Sequence, residues 1–290
     1  MYNICCIGHI TLDRIITPEA DVFMPGGTAW YFSKALSNLD VKYVLITSLA
    51  ATEKNFVQQL ADEGIKVKLF TSTHTLYFEN IYGADTNQRT QRVLQVADIF
   101  TTEQVSDITA GIFHLGTLMA NDIPLEVIKE LAKKGKVAAD IQGYLRKLNG
   151  QQVEATDWKD KMEALPYIDI LKVNEQEMEA LTGTSDVKQA ARQLNDWGAK
   201  EIVITLGSMG SVIYYEKQFY TIPAYVPAAV VDATGCGDTY MAGYLYCRAK
   251  GQVPGTAGKF AAAMATLKIG KQGPFNGTEE DVFNIIKQEA

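Results

Sequence analysis

No apolar run in the sequence approaches the ~20 residues needed to span a bilayer. The stretch from Met1 to Gly8 has neither a basic leader nor a long apolar segment. No membrane partner is expected, and the opening residues read as a strand rather than a secretion signal. Cysteine is scarce: the four present, two of them the adjacent Cys5 and Cys6, match neither a disulfide framework nor a zinc spacing. That usage fits a reducing cytoplasm. Positive charge is also short, with 27 Lys and Arg against 34 Asp and Glu and a formal charge of −7. A nucleic-acid partner, which needs a basic face, is therefore not expected. The three histidines, His9, His74 and His114, show no i, i+4 pairing, so structural or solvated roles are expected of them. There is no Walker A string, no Gly-x-Ser-x-Gly elbow and no Gly-x-Gly-x-x-Gly after the first strand. A dinucleotide-dependent dehydrogenase is thereby disfavoured, and neither an internal repeat nor a low-complexity tract is found.

What remains is a chain of 290 residues, 47% hydrophobic and 21% charged, long enough for one large α/β domain or two modest ones. Apolar runs at 3–7, 41–49, 65–70, 110–115, 137–139, 168–173 and 201–206 read as buried strands. Amphipathic stretches between several of them read as helices, which predicts a mostly parallel sheet covered on both faces. The pattern changes at 75–82 and 92–97, which are β-prone and flank the polar turn 83–89. No crossover helix fits between those two runs, so they are expected to pair antiparallel outside the main sheet.

The most informative stretch is Asp232-Ala233-Thr234-Gly235-Cys236-Gly237-Asp238, followed by a helical pattern from Thr239 through Leu245. Gly235 to Asp238 fall where loop becomes helix, and the first helical N–H groups, unpaired and positively polarised, make a seat for an anion. Gly235 and Gly237 keep side chains out of that seat. Asp238 is either a favourable first-turn acid, with Thr234 as a cap, or a general base beside a bound phosphoryl group.

Other strand ends carry polar clusters at the side where open α/β sheets bind ligands. Gly26-Gly27 precedes an apolar helix and is either a tight turn or a close backbone approach to a substrate. Asn174 and Glu177 form a capping-box-like pair after the strand ending in Lys172-Val173. Thr205, Gly207 and Gly210 follow the next strand as a possible hairpin entry. Asp140 and Arg146 bracket the string after Ala139, where an ordinary turn with a surface Arg is the alternative.

The Asp232–Gly243 string, in this order and spacing with the other clusters, strongly resembles the signature of the ribokinase-like (PfkB) carbohydrate kinases; Cys236 stands where that family usually has Ala or another small residue. The resemblance spans nearly the whole chain. It implies a three-layer α/β sandwich, as one domain over 1–290 with lid segments from about 10–24 and 72–98. It implies ATP-dependent phosphorylation of a hydroxyl on a small sugar or polyol, with Asp238 as base and Gly235, Cys236 and Gly237 as the anion hole. Asn174 and Glu177 would then organise water around Mg²⁺. Thr205, Gly207 and Gly210 would approach the nucleotide phosphates, Lys172 would add positive charge, and Asn276 with helix 257–268 would flank the adenine. Asp13, Gly26, Gly27, Asp140 and Arg146 would meet the acceptor, and Tyr82, Arg89 and Gln91 are candidates on the lid. Tyr31 stands where ribokinases commonly have an Asn, which turns the acceptor away from ribose, toward a cyclitol such as myo-inositol or another sugar. A nucleoside kinase, or a non-catalytic sugar- or nucleotide-binding regulator on the same scaffold, is the alternative. The resemblance leaves open a monovalent cation near the anion seat and a homodimer through the lid.

Overall fold

A computed structural model of the chain describes residues 1–82 and 89–288. The turn 83–88 and the side chains of Tyr82 and Arg89 lie outside the described residues. The first half runs β1 (Tyr2–Gly8), β2 (Thr11–Ile16), β3 (Asp21–Gly26), α1 (Gly27–Leu36), β4 (Tyr43–Leu49), α2 (Lys54–Asp62), β5 (Lys66–Thr71), β6 (Tyr77–Tyr82) and β7 (Arg89–Gln95). It continues with α3 (Thr102–Val105), β8 (Ala110–Gly116), α4 (Leu125–Ala132), β9 (Lys136–Asp140), β10 (Arg146–Asn149), β11 (Gln152–Ala155) and α5 (Lys161–Ala164). The remainder is β12 (Ile170–Asn174), α6 (Glu175–Thr182), α7 (Val187–Asp196), β13 (Glu201–Thr205), β14 (Ser211–Tyr215), β15 (Gln218–Ile222), α8 (Cys236–Ala249), α9 (Pro254–Ile269) and α10 (Glu279–Gln288).

Nine strands form the central sheet in the order β15-β14-β13-β12-β9-β8-β1-β4-β5. It is parallel from β5 to β13, and only β14 and β15 add antiparallel. Pleating explains the continuous apolar runs, because a strand covered on both faces has no side left for water. In β1, Ile4 and Cys6 join one core cluster while Cys5 and Ile7 join the other. The first cluster lies under α1, α2, α8, α9 and α10, and the second under α3 to α7. His114 is buried against Phe32 with ring centroids 4.4 Å apart, and burial pushes its pKa down to about 4, which suits a neutral core residue.

A second sheet of six strands, β10-β11-β7-β6-β2-β3, stands apart from the first. β6 and β7 pair antiparallel as the polar turn between them predicts. One face covers a small apolar cluster of Leu76, Phe78, Val93, Leu118 and Met119. The other carries Arg14, paired with Asp21 at 2.6 Å and Glu79 at 3.0 Å. β10 and β11 extend this sheet through residues that the sequence pattern reads as a strand-end turn, so Arg146 opens a strand of the small sheet.

Candidate active site

Strand register assembles the site before any loop is considered. Gly8, Gly116, Asp140 and Lys172 lie side by side across β1, β8, β9 and β12. Neighbours in one row share a face, so the Lys172 ammonium reaches the Asp140 carboxylate at 2.8 Å. Both side chains are buried, which makes this a pair that would cost several kcal/mol to break from either end. The glycines in the row answer to the helix above. A Cβ on Gly116 would lie 2.7 Å from Thr28 Cγ2, so the start of α1 settles directly onto the strand ends.

Thr28 in turn hydrogen-bonds the side chain of Asp238 at the start of α8. Burial first, then repulsion from Asp140, pushes the Asp238 carboxyl up to about 6, while Lys172, Thr28 and Arg146 pull it the other way. A carboxylate held there is mostly ionised at neutral pH yet far more basic than an ordinary Asp, which is what proton abstraction from an alcohol requires. Lys172 is held above its ordinary value. Burial would lower it, but the Asp140, Glu177 and Asp238 carboxylates outweigh burial.

The turn before α8 is built for close approach. Gly235 has φ +74°, and a Cβ there would sit 2.2 Å from the Tyr31 ring. Tyr31, expected at the acceptor, is only 4% exposed and packs beneath this turn. A Cβ on Gly237 would lie 3.3 Å from Lys172 Nζ, so the lysine charge flanks the amides of the anion seat. Cys236 contributes its backbone, and burial lifts its thiol pKa to about 11, so the sulfur is uncharged.

These groups open onto a cleft of about 840 Å³. Gly235, Cys236, Gly237, Asp238, Lys172 and Asp140 line it, together with Asn174, Thr205, Gly207 and Gly210. Tyr225, Val226, Val230, Ala262, Ala265 and Ile269 add an apolar wall. Asn174 and Glu177 form a reciprocal cap on α6, each backbone N–H donating to the other's side chain at 2.8 Å. Glu177 is buried and not among the described cleft-lining residues; burial raises its pKa, with Asp140 adding to the rise and Lys172 opposing it.

The remaining candidates are distributed more widely. Asp13 lies on β2, accepts from Thr11 Oγ1 at 2.6 Å, and fills the space that a Gly26 side chain would take. Gly27, at φ +81°, lets His9 and Leu118 pack against the turn from β3 into α1. Gln91 on β7 donates to Asn80 Oδ1 at 2.9 Å. Asn276 does not line the cleft; it borders a small separate hollow, and its carbonyl accepts from Asn38 Nδ2 at 3.0 Å. The sequence reading missed Thr28, although it sits directly after the double glycine, and Lys268, hidden in the apolar string Leu267-Lys268-Ile269.

Two cations can be tested against these residues. Around Lys172 stand three carboxylates, Asp140, Glu177 and Asp238, and the last two are raised partly by repulsion from Asp140. Such surplus negative charge, all on hard oxygen, fits a divalent ion such as Mg²⁺ held through water. A monovalent cation beside the anion loop does not fit. There the Asp232 carbonyl and carboxylate already accept from the buried Lys268 ammonium at 2.7 and 3.0 Å.

Comparison with known proteins identifies the family. The description pfkB family carbohydrate kinase matches residues 1–281. A cytidine kinase of Thermococcus kodakarensis is 30% identical over 267 residues, covering 87% of this chain and 90% of its own. A solved pyrophosphate-dependent kinase in the ribokinase family, complexed with a pyrophosphate analog and myo-inositol, is 29% identical with a TM-score of 0.86 over 97% of this chain and 99% of that one. The ribokinase of Arabidopsis thaliana, solved with ribose and ATP, shares the fold at a TM-score of 0.83 over 99% of each chain and 23% identity. Among the described residues no helix is long and apolar enough to cross a membrane. With a mostly parallel nine-stranded sheet and a family match over nearly its full length, the chain belongs to the pfkB carbohydrate kinases of the ribokinase family.

Proposed function

We propose that the protein transfers the terminal phosphoryl group of ATP to a hydroxyl of a small sugar or cyclitol. The observation that carries this is Asp238: a carboxyl raised to about 6 at the tip of α8, beside the Gly235–Gly237 amides and the Lys172 ammonium. Asp238 takes the proton of the acceptor hydroxyl as its oxygen bonds to phosphorus, and the bond to the leaving oxygen of ADP breaks. The amides and Lys172 stabilise the charge spread over the moving phosphoryl oxygens. Asn174 and Glu177 would hold Mg²⁺ through water, and the ion when bound neutralises phosphate charge. Thr205, Gly207 and Gly210 give the phosphate tail a side-chain-poor floor.

The apolar wall of the cleft supports a nucleotide donor. Val226 and Val230 there are 80% and 73% exposed, and a purine base would cover them. A pyrophosphate donor has no use for that wall, and among the described cleft-lining residues Lys172 is the only Lys or Arg to meet its charge. The cyclitol preference draws on the myo-inositol-bound relative; the cytidine kinase relative supports a nucleoside acceptor as the second reading. Asp13, Gly26, Gly27, Asp140 and Arg146 form the acceptor side of this proposal, with 1–290 acting as one domain and the small sheet, including segments 10–24 and 72–98, as its lid. Exposed Val22 and Phe23 on β3 support a dimer through that sheet, which light scattering would test.

A coupled assay of ATP and pyrophosphate consumption over sugars, cyclitols and nucleosides tests the whole reading. Saturable ATP turnover with a sugar or cyclitol is expected. Turnover with nucleosides alone would move the assignment to the second reading, pyrophosphate-only turnover would refute the donor, and silence across the panel would refute catalysis.

A further inference from the structure

The loop bearing the anion seat is braced from behind by a buried ammonium. Asp232 opens the loop, and its Oδ1 accepts the Thr234 N–H at 2.9 Å. Its Oδ2 accepts from Lys268 Nζ at 3.0 Å and from the Gly273 N–H at 3.2 Å. The same Nζ donates to the Asp232 carbonyl at 2.7 Å and reaches the Lys271 carbonyl at 3.4 Å. The Lys268 side chain has no solvent exposure at all.

Two carbonyls and a carboxylate oxygen, with water excluded, are the donors that replace the hydration shell of an alkali ion. Here one positive charge already sits among them, tethered to α9. Its field reaches the seat: at Cys236 it opposes the burial that lifts the thiol. Burying a lysine is costly without such partners, so this position is specific and not a chance of packing.

We propose that Lys268 is a built-in monovalent cation, a positioning residue whose ammonium orders the Asp232–Gly237 loop so that no alkali ion is required. Its effect on rate rests on the kinase reading above; its effect on ion binding does not. The ammonium sets the direction of the seat amides through Asp232, and its charge adds to theirs.

The test uses the full chain in potassium, sodium and tetramethylammonium chloride at equal ionic strength. An ion bound only by the folded state raises the melting temperature in proportion to its occupancy. Equal melting temperatures and equal rates in the three salts are expected for the wild type. A saturable rise with potassium or sodium in either readout overturns the proposal. Lys268→Ala is expected to lose at least ~10-fold in kcat through a misplaced seat. Methylammonium or potassium should restore part of that loss and tetramethylammonium none of it. A hollow of about 90 Å³ adjoins Lys268. A folded Lys268→Ala enzyme with the wild-type rate, or with a loss that no small cation restores, also overturns it. If Lys268→Ala does not fold, the wild-type melting series decides the matter. That series needs no turnover, so a chain inactive with every acceptor would sink the kinase reading and leave this one testable.

Discussion

Replacing Asp238 by Asn should cut turnover by orders of magnitude and stabilise the fold, with the second effect growing as pH rises from the acid range to neutrality. The carboxyl sits at about 6 in the folded chain against an ordinary 3.8. That is a shift of ~2 pH units at about 1.4 kcal/mol each, or ~3 kcal/mol as an upper limit. Since the side chain faces a wet cleft, ~1–2 kcal/mol is the working figure. A carboxyl raised by folding is favoured in its protonated form, so ionising it costs stability. The penalty is absent below 3.8, grows between 3.8 and about 6, and is complete above that. Asn mimics the protonated acid and never incurs it. For a chain of this size the gain corresponds to ~2–6 °C in melting temperature. Scanning calorimetry of both proteins from pH 4.5 to 8.5 would show the gap opening as pH rises, while kcat falls by ~10²–10⁴ from loss of the base. A variant less stable than wild type at pH 8, or a gap that does not change with pH, would refute the account of how the site holds Asp238. Near-normal turnover would refute its role as base.

Two further outcomes follow from the same geometry. Thr28→Val removes the hydroxyl that helps keep Asp238 ionised, so the acid limb of kcat/KM should move to higher pH with little change at pH 9; an unmoved limb would show that the contact is idle. Gly235→Ala forces a Cβ to 2.2 Å from the Tyr31 ring at φ +74°, and should destabilise by ~2 kcal/mol or more and disable phosphoryl transfer; urea unfolding would expose a tolerant turn if the midpoint stayed put.

What was legible in the sequence was what is contiguous. The proposed anion seat and base lie within seven residues, 232–238, and the parallel strands announce themselves as unbroken apolar runs. The Asp140–Lys172 pair is not legible, because it depends on β9 lying beside β12 in one register, which no local pattern records. Thr28 was in view but gained meaning only when Gly116 let α1 settle over the strand ends. Arg-Lys-Leu-Asn and Gln-Val-Glu-Ala, the strands β10 and β11, are four residues each and half polar or more, too short for a period of two to stand out from a turn. Tyr31 reads correctly as part of an apolar helix, but periodicity cannot say that its ring would prop up a glycine some 200 positions away. Lys268 is the opposite case: a charge in an apolar string reads as a solvent-facing break, and here it points inward at a carboxylate.

The identity of the residue between the two seat glycines has a practical side. Cys5, Cys6 and Cys247 are buried, whereas Cys236 borders the cleft two positions from the base. The unaltered enzyme therefore offers a single natural handle for thiol-directed fluorophores, spin labels or heavy atoms. With the thiol pKa at about 11, labelling will be slow at neutral pH, and its rate in the presence and absence of nucleotide would report donor occupancy without any engineered mutation.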